Sequence, residues 1–141
     1  IVQAPGFVTI LVEMNHDARI IRLGAERLPG AIRPWLGDSI GRFEGETLVV
    51  STTNFHPLQS FRASLRHRVY IASDAKVTER FTRVGESEIL YEFAVNDPKH
   101  YTQMWRGEMP LRAAEGRIYE YACHEGNYSL ANILAGEREE D

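Results

Sequence analysis

Apolar and polar positions alternate along most of the chain with the two-residue period of extended strands, not the 3.6-residue period of helices. Between Phe7 and Met14, Val8, Ile10, Val12 and Met14 share one face, and Phe7, Thr9, Leu11 and Glu13 share the other. That mixture predicts a strand partly covered on both sides. Asn15-His16-Asp17 is a run of turn formers that reverses the chain into a second strand, Ala18 to Leu23. Gly24 to Ile40 follows neither period; its three Gly and two Pro, with Trp35 among them, read as a long surface excursion. Loops of that length are commonly functional or disordered.

Beyond it, a hairpin with its tip at Glu44 to Glu46 leads into the β-branched strand Thr47 to Thr53, and Asn54 to Ser64 reads as a connection. The clearest hairpin joins Lys76 to Val84 with Ile89 to Val95 through the polar loop Gly85-Glu86-Ser87-Glu88. Asp97-Pro98 breaks the run. Tyr101 to Met109 resumes it, and Ala114-Glu115-Gly116 turns into a last strand, Arg117 to Cys123. Past Gly126 the period changes: Asn127 caps a short helix in which Leu130, Ile133 and Leu134 recur at helical spacing, with Gly136 as its expected stop and a frayed acidic tail. The pattern predicts one mainly β domain, an antiparallel β-barrel or sandwich of seven to nine strands with one short C-terminal helix.

Composition narrows the reading without redirecting it. A chain of 141 residues is long enough to bury a core without metals or disulfides. A net charge of -4 leaves no basic footprint for nucleic acid. The local exception, Arg62 with Arg66, His67 and Arg68, lacks interleaved aromatics and reads as a solvated loop or edge. The single cysteine, Cys123, excludes an intrachain disulfide, and no apolar run is long enough to span a membrane as a helix. The chain opens at Ile1 inside an apolar stretch with no initiator Met, which reads as a processed or truncated product with a segment missing upstream.

Phosphate loops, nucleophile elbows and paired-cysteine metal motifs are absent. Strand parity gives the better lead, because an inward polar side chain needs a partner or a purpose. Glu79 falls between Val77 and Phe81 on the apolar face of its strand. It reads either as half of an ion pair with an Arg on a neighbouring strand or as an acid-base group. His16 continues the parity of Val8 to Met14 and points inward if that strand runs on, although a turn is equally compatible. On the last strand, Tyr119, Tyr121 and Cys123 share one face and Glu120, Ala122 and His124 the other. Cys123 reads as an inert buried thiol, since His124 faces away from it. A metal at His124 with Glu120 or His16 is the least favoured reading, and no metal or cofactor is assigned. Tyr91, Trp105, Tyr119 and Tyr121 are the candidate wall of a partly apolar pocket.

Several stretches carry a resemblance: Glu13 to Ile21, Pro34-Trp35-Leu36-Gly37-Asp38-Ser39, Gly41 to Val50, Thr52-Thr53-Asn54-Phe55, Glu79 to Arg83, Leu90 to Phe93 with Asp97-Pro98, Trp105, and Ile118 to Asn127. In these the chain resembles a large group of uncharacterised, exported bacterial β-rich proteins of lipocalin-like character. The group usually has Trp where this chain has Phe43, and it carries an early Gly-x-Trp-like strand that is not found here. The resemblance implies a periplasmic or secreted location and names no reaction. If the early strand completes the barrel, this chain is open, paired with a missing N-terminal fragment, or closed by a partner.

Three functions follow as expectations. The leading one is binding of a small, partly apolar molecule, with His16, Glu79 and His124 as polar contacts. Second is a barrel lyase, isomerase or hydrolase using the same residues for proton transfer. A mononuclear metal site comes third.

Overall fold

The computed structural model describes residues 1–13, 16–62, 68–119 and 125–139. Its strands are β1 (Val2–Ala4), β2 (Phe7–Leu11), β3 (Ala18–Leu23), β4 (Asp38–Glu44), β5 (Thr47–Thr53), β6 (Ser60–Arg62), β7 (Arg68–Tyr70), β8 (Lys76–Arg83), β9 (Glu88–Asn96) and β10 (Trp105–Arg112), followed by helix α1 (Ser129–Glu139). Eight of the strands form one sheet in the order β1-β2-β3-β4-β5-β8-β9-β10, and β6 pairs with β7 as a separate hairpin. Neighbours are antiparallel except β3 and β4, which run parallel with Ile21 opposite Ser39. The sheet is curled into a half-barrel.

The register shows which side chains share the concave face. Val8 lies opposite Ile21, Ser39 opposite Thr52, Gly41 opposite Val50, Val50 opposite Glu79, Phe81 opposite Tyr91, and Leu111 opposite Ile89. Val8, Ile21, Leu48, Val50 and Phe81 are buried together, with Ile10, Leu23, Ile89, Tyr91 and Leu111 packed against them. In a flat sheet, β2 and β10 lie six strand spacings apart, about 29 Å. That Val8 and Leu111 belong to one cluster therefore measures the curl. Gly41 permits the tight packing, because a Cβ there would stand 2.7 Å from Ile21 Cγ2. Each large apolar side chain buried in this way contributes about 1.5–3 kcal/mol.

The excursion expected over Gly24 to Ile40 is irregular only as far as Gly37, since Asp38 to Ile40 already belong to β4, and it is tied to the sheet's other face. Buried Asp38 accepts Arg22 Nη2 at 2.7 Å and the Leu28 N–H at 3.0 Å. Arg27 donates to Asp38 O at 2.5 Å and to Ser51 O at 2.9 Å. Arg33 Nη1 reaches Ser73 O at 2.7 Å. A second small core of Phe55, Ala72 and Ala75 sits beside this strap.

Several boundaries differ from the sequence expectation: β2 stops at Leu11 short of Met14, and β6 starts inside the expected connection Asn54 to Ser64. The strand expected from Tyr101 begins instead at Trp105, because the His100 and Tyr101 N–H groups bond back to Asp97 O at 3.2 and 3.0 Å and hold a turn. Helix α1 passes through Gly136, which keeps a helical φ between good helix formers and so is no C-cap. Its start is as expected, with Asn127 Oδ1 accepting the Ser129 N–H at 3.1 Å. Residues 117–119 form no strand, and Glu120 to His124 lie outside the described residues. No helix among the described residues is long and apolar enough to cross a membrane.

Candidate functional site

Two features of the concave face stand out, a polar belt across its middle and an apolar cavity at one end. The belt begins at Arg19, which shares β3's inward face with Ile21 and Leu23. An Arg on an apolar face must find acceptors, and the curl delivers them. Arg19 Nε donates to Ser39 Oγ at 3.1 Å and Nη2 to Thr52 Oγ1 at 3.2 Å. Nη1 donates to Glu79 Oε1 at 2.9 Å, and Nη2 also meets Glu79 Oε2, which makes the ion pair bidentate. Tyr91 Oη donates to Glu79 Oε1 at 2.9 Å, and Ser39 Oγ and Thr52 Oγ1 lie 2.8 Å apart. The belt thus crosses five consecutive strands, β3, β4, β5, β8 and β9.

Glu79 is only 3% exposed and its oxygens accept from Arg19 and Tyr91. Both oxygens that a substrate proton would reach are already engaged. Burial, the Glu79 charge and the hydrogen bond to Glu79 push the Tyr91 phenol well above its ordinary pKa, with the Arg19 charge pulling weakly the other way. A phenol held protonated in this way donates a hydrogen bond and does not ionise near neutral pH. The ion-pair reading of Glu79 is therefore the one found, with its partner not on a neighbouring strand but on β3, separated from β8 by β4 and β5.

Of the remaining sequence candidates, none that lies among the described residues joins that belt. His16 is exposed at a turn with φ of 54°, because β2 stops at Leu11 and the Val12 N–H bonds to Asp17 O at 2.8 Å. Tyr119 is 72% exposed, the chain having left the sheet after β10. His124 and Tyr121 lie outside the described residues, as does Cys123. Trp105 does share the concave face, opposite Val95. Its buried Nε1 has no hydrogen-bond acceptor among the described residues. The ring stands edge-on to Phe93, with centroids 5.5 Å apart at 88°, and is tilted at 65° to Tyr101. Glu79, Tyr91 and Trp105 are thus brought to one face, and only the first two touch. Among the described residues no group of three or more His, Cys, Asp or Glu side chains is placed to hold a metal.

A cavity of about 720 Å³ opens beside the belt, toward the β4–β5 and β8–β9 hairpin tips. Val8 and Ile10 from one end of the sheet and Leu111 from the other wall it, with Leu48, Phe81 and Ile89 between them. Sequence parity had placed the pocket around the aromatics instead. The signal available was the run of aliphatic residues on the faces of Val8, Leu48 and Ile89, which the alternation identifies as inward. Arg19 was legible by the same parity, as the inward cation that Glu79 required. No family model, curated protein or solved structure matches this chain.

Proposed function

We propose that the half-barrel binds a small, partly apolar molecule on its concave face, in the cavity between β2 and β10. One observation carries this reading: the curl leaves about 720 Å³ of aliphatic- and aromatic-walled space, within the range of small-ligand sites, that no core side chain among the described residues fills. The Arg19–Glu79–Tyr91 belt supports the curl behind that space and acts as scaffold, which favours binding over proton-transfer chemistry. The resemblance to exported bacterial proteins goes with a periplasmic or secreted setting for such a binder, testable by fractionating cells that express the protein from its native gene.

The test is a neutral fluorescent probe, 1-aminoanthracene, titrated into the wild type and two variants. Ile10→Trp puts an indole into the cavity and is expected to weaken probe binding at least tenfold. Thr9→Trp, on the other face of the same strand, is expected to change it less than twofold. Equal affinity in all three proteins would refute the cavity as the site.

A further inference from the structure

The cavity mouth carries more chemistry than its apolar walls. Two hairpin tips frame it. The β4–β5 tip contributes Phe43 and Glu46, and the β8–β9 hairpin contributes Arg83, Glu86 and Glu88. Arg112 at the end of β10 completes the charged groups, so two guanidinium groups face three carboxylates. The pairing among them is uneven. Arg112 Nε lies 3.5 Å from Glu88 Oε2, which neutralises both. Arg83 is folded back on its own hairpin, donating to Gly85 O at 3.1 Å and Glu86 O at 3.2 Å, neutral main-chain acceptors that fix its direction and leave its positive charge uncompensated. Glu46 and Glu86 enter no ion pair among the described residues. Phe43 adds a half-exposed aromatic ring on the concave face, opposite Leu48 in the register.

An apolar cavity bordered by an open aromatic ring and by two carboxylates, unpaired among the described residues and outnumbering the one uncompensated guanidinium of Arg83, has the composition that recognises an organic cation. The ring quadrupole and the carboxylates attract the same charge, and the apolar wall accepts the body attached to it. We infer that the ligand is an amphipathic amine, a primary or quaternary ammonium on an aliphatic or aromatic body, with its head between Phe43, Glu46 and Glu86. The inference rests on the proposed cavity and adds the sign of the ligand's charge.

Displacement of 1-aminoanthracene by three probes of equal chain length tests it: octyltrimethylammonium, 1-octanol and octanoate, at neutral pH and low salt. The expected result is displacement by the ammonium at a concentration at least tenfold below that of octanoate, a preference that shrinks on adding salt. In a Glu46→Gln/Glu86→Gln variant the preference falls to within about threefold. Phe43→Leu, which leaves the carboxylates in place, lowers the ammonium-to-octanol ratio severalfold. Octanol displacement with no preference for the cation would overturn the inference and leave the cavity reading standing. So would a preference that survives both variants. Failure of the parent protein to bind the fluorescent probe at all would overturn the cavity reading, and the inference with it.

Discussion

Replacing Arg19 with Met tests the polar belt most directly. The substitution keeps a long flexible side chain and removes the guanidinium that donates to Ser39, Thr52 and both Glu79 oxygens. Glu79 is then left buried with Tyr91 as its remaining partner. Breaking a buried ion pair from one side costs about 3–5 kcal/mol. The Arg19 side chain is 18% exposed, so water enters where it stood, and the lower end, about 3 kcal/mol, applies. With a urea slope of about 2 kcal/mol per molar, the unfolding midpoint followed by tryptophan fluorescence falls by roughly 1.5 M. The double variant Arg19→Met/Glu79→Met removes both charges together. It leaves the Tyr91 hydroxyl without its acceptor, at about 1 kcal/mol, and so recovers to within roughly 0.5 M of wild type. A single variant that shifts the midpoint by less than about 0.5 M would refute the belt as a stabilising element. A double variant no better than the single would refute the argument that an uncompensated Glu79 is the cause.

Two further outcomes concern pH. The folded-state pKa of Tyr91 is raised, so its contribution is complete below the unfolded phenol value of about 10 and is lost as pH rises past it. Melting temperature measured between pH 8 and 11 is expected to fall less steeply in Tyr91→Phe than in wild type, and parallel curves would contradict the assignment. At Asp97, burial favours the neutral acid but is outweighed by hydrogen bonds from Ala72 N at 2.8 Å, His100 Nδ1 at 2.8 Å and Lys99 N at 3.2 Å, so the carboxyl is held below its usual value. Its stabilisation is present above the unfolded value of about 3.9 and is lost as pH falls through the folded one. Asp97→Asn is expected to cost about 2 kcal/mol at pH 7 by urea unfolding and progressively less in acid, a trend that a pH-independent penalty would exclude.

Much of the candidate site was readable in part. Parity put Glu79 and Tyr91 on an inward face correctly, because alternation is fixed by the pleat of each strand. It left His16 open between an inward position and a turn, and the turn is found, since whether a strand runs on for a few residues depends on its neighbour, and β3 offers none beyond Ala18 opposite Leu11. Of the expected aromatic wall, Tyr91 joins the polar belt, Trp105 packs against Phe93 and Tyr119 is exposed, while the 720 Å³ cavity lies among aliphatic side chains nearer the hairpin tips. No local pattern distinguishes an inward side chain that fills the core from one that borders a void.

The sequence by itself determined the strands Ala18–Leu23 and Thr47–Thr53 to the residue, the hairpin of β8 and β9, and the cap of α1. In each case the deciding contacts are made by residues close along the chain. The tertiary structure alone decided the parallel pairing of β3 with β4, the pairing of β5 with β8 across residues 54–75, and the curl that joins Val8 to Leu111. It also joined Arg19 to Glu79, 60 residues away. Strand alternation says which side chains face inward and is silent on strand order and curvature. Those follow from how the whole sheet buries its apolar face at once, and the cavity and its charged mouth exist only after that closure.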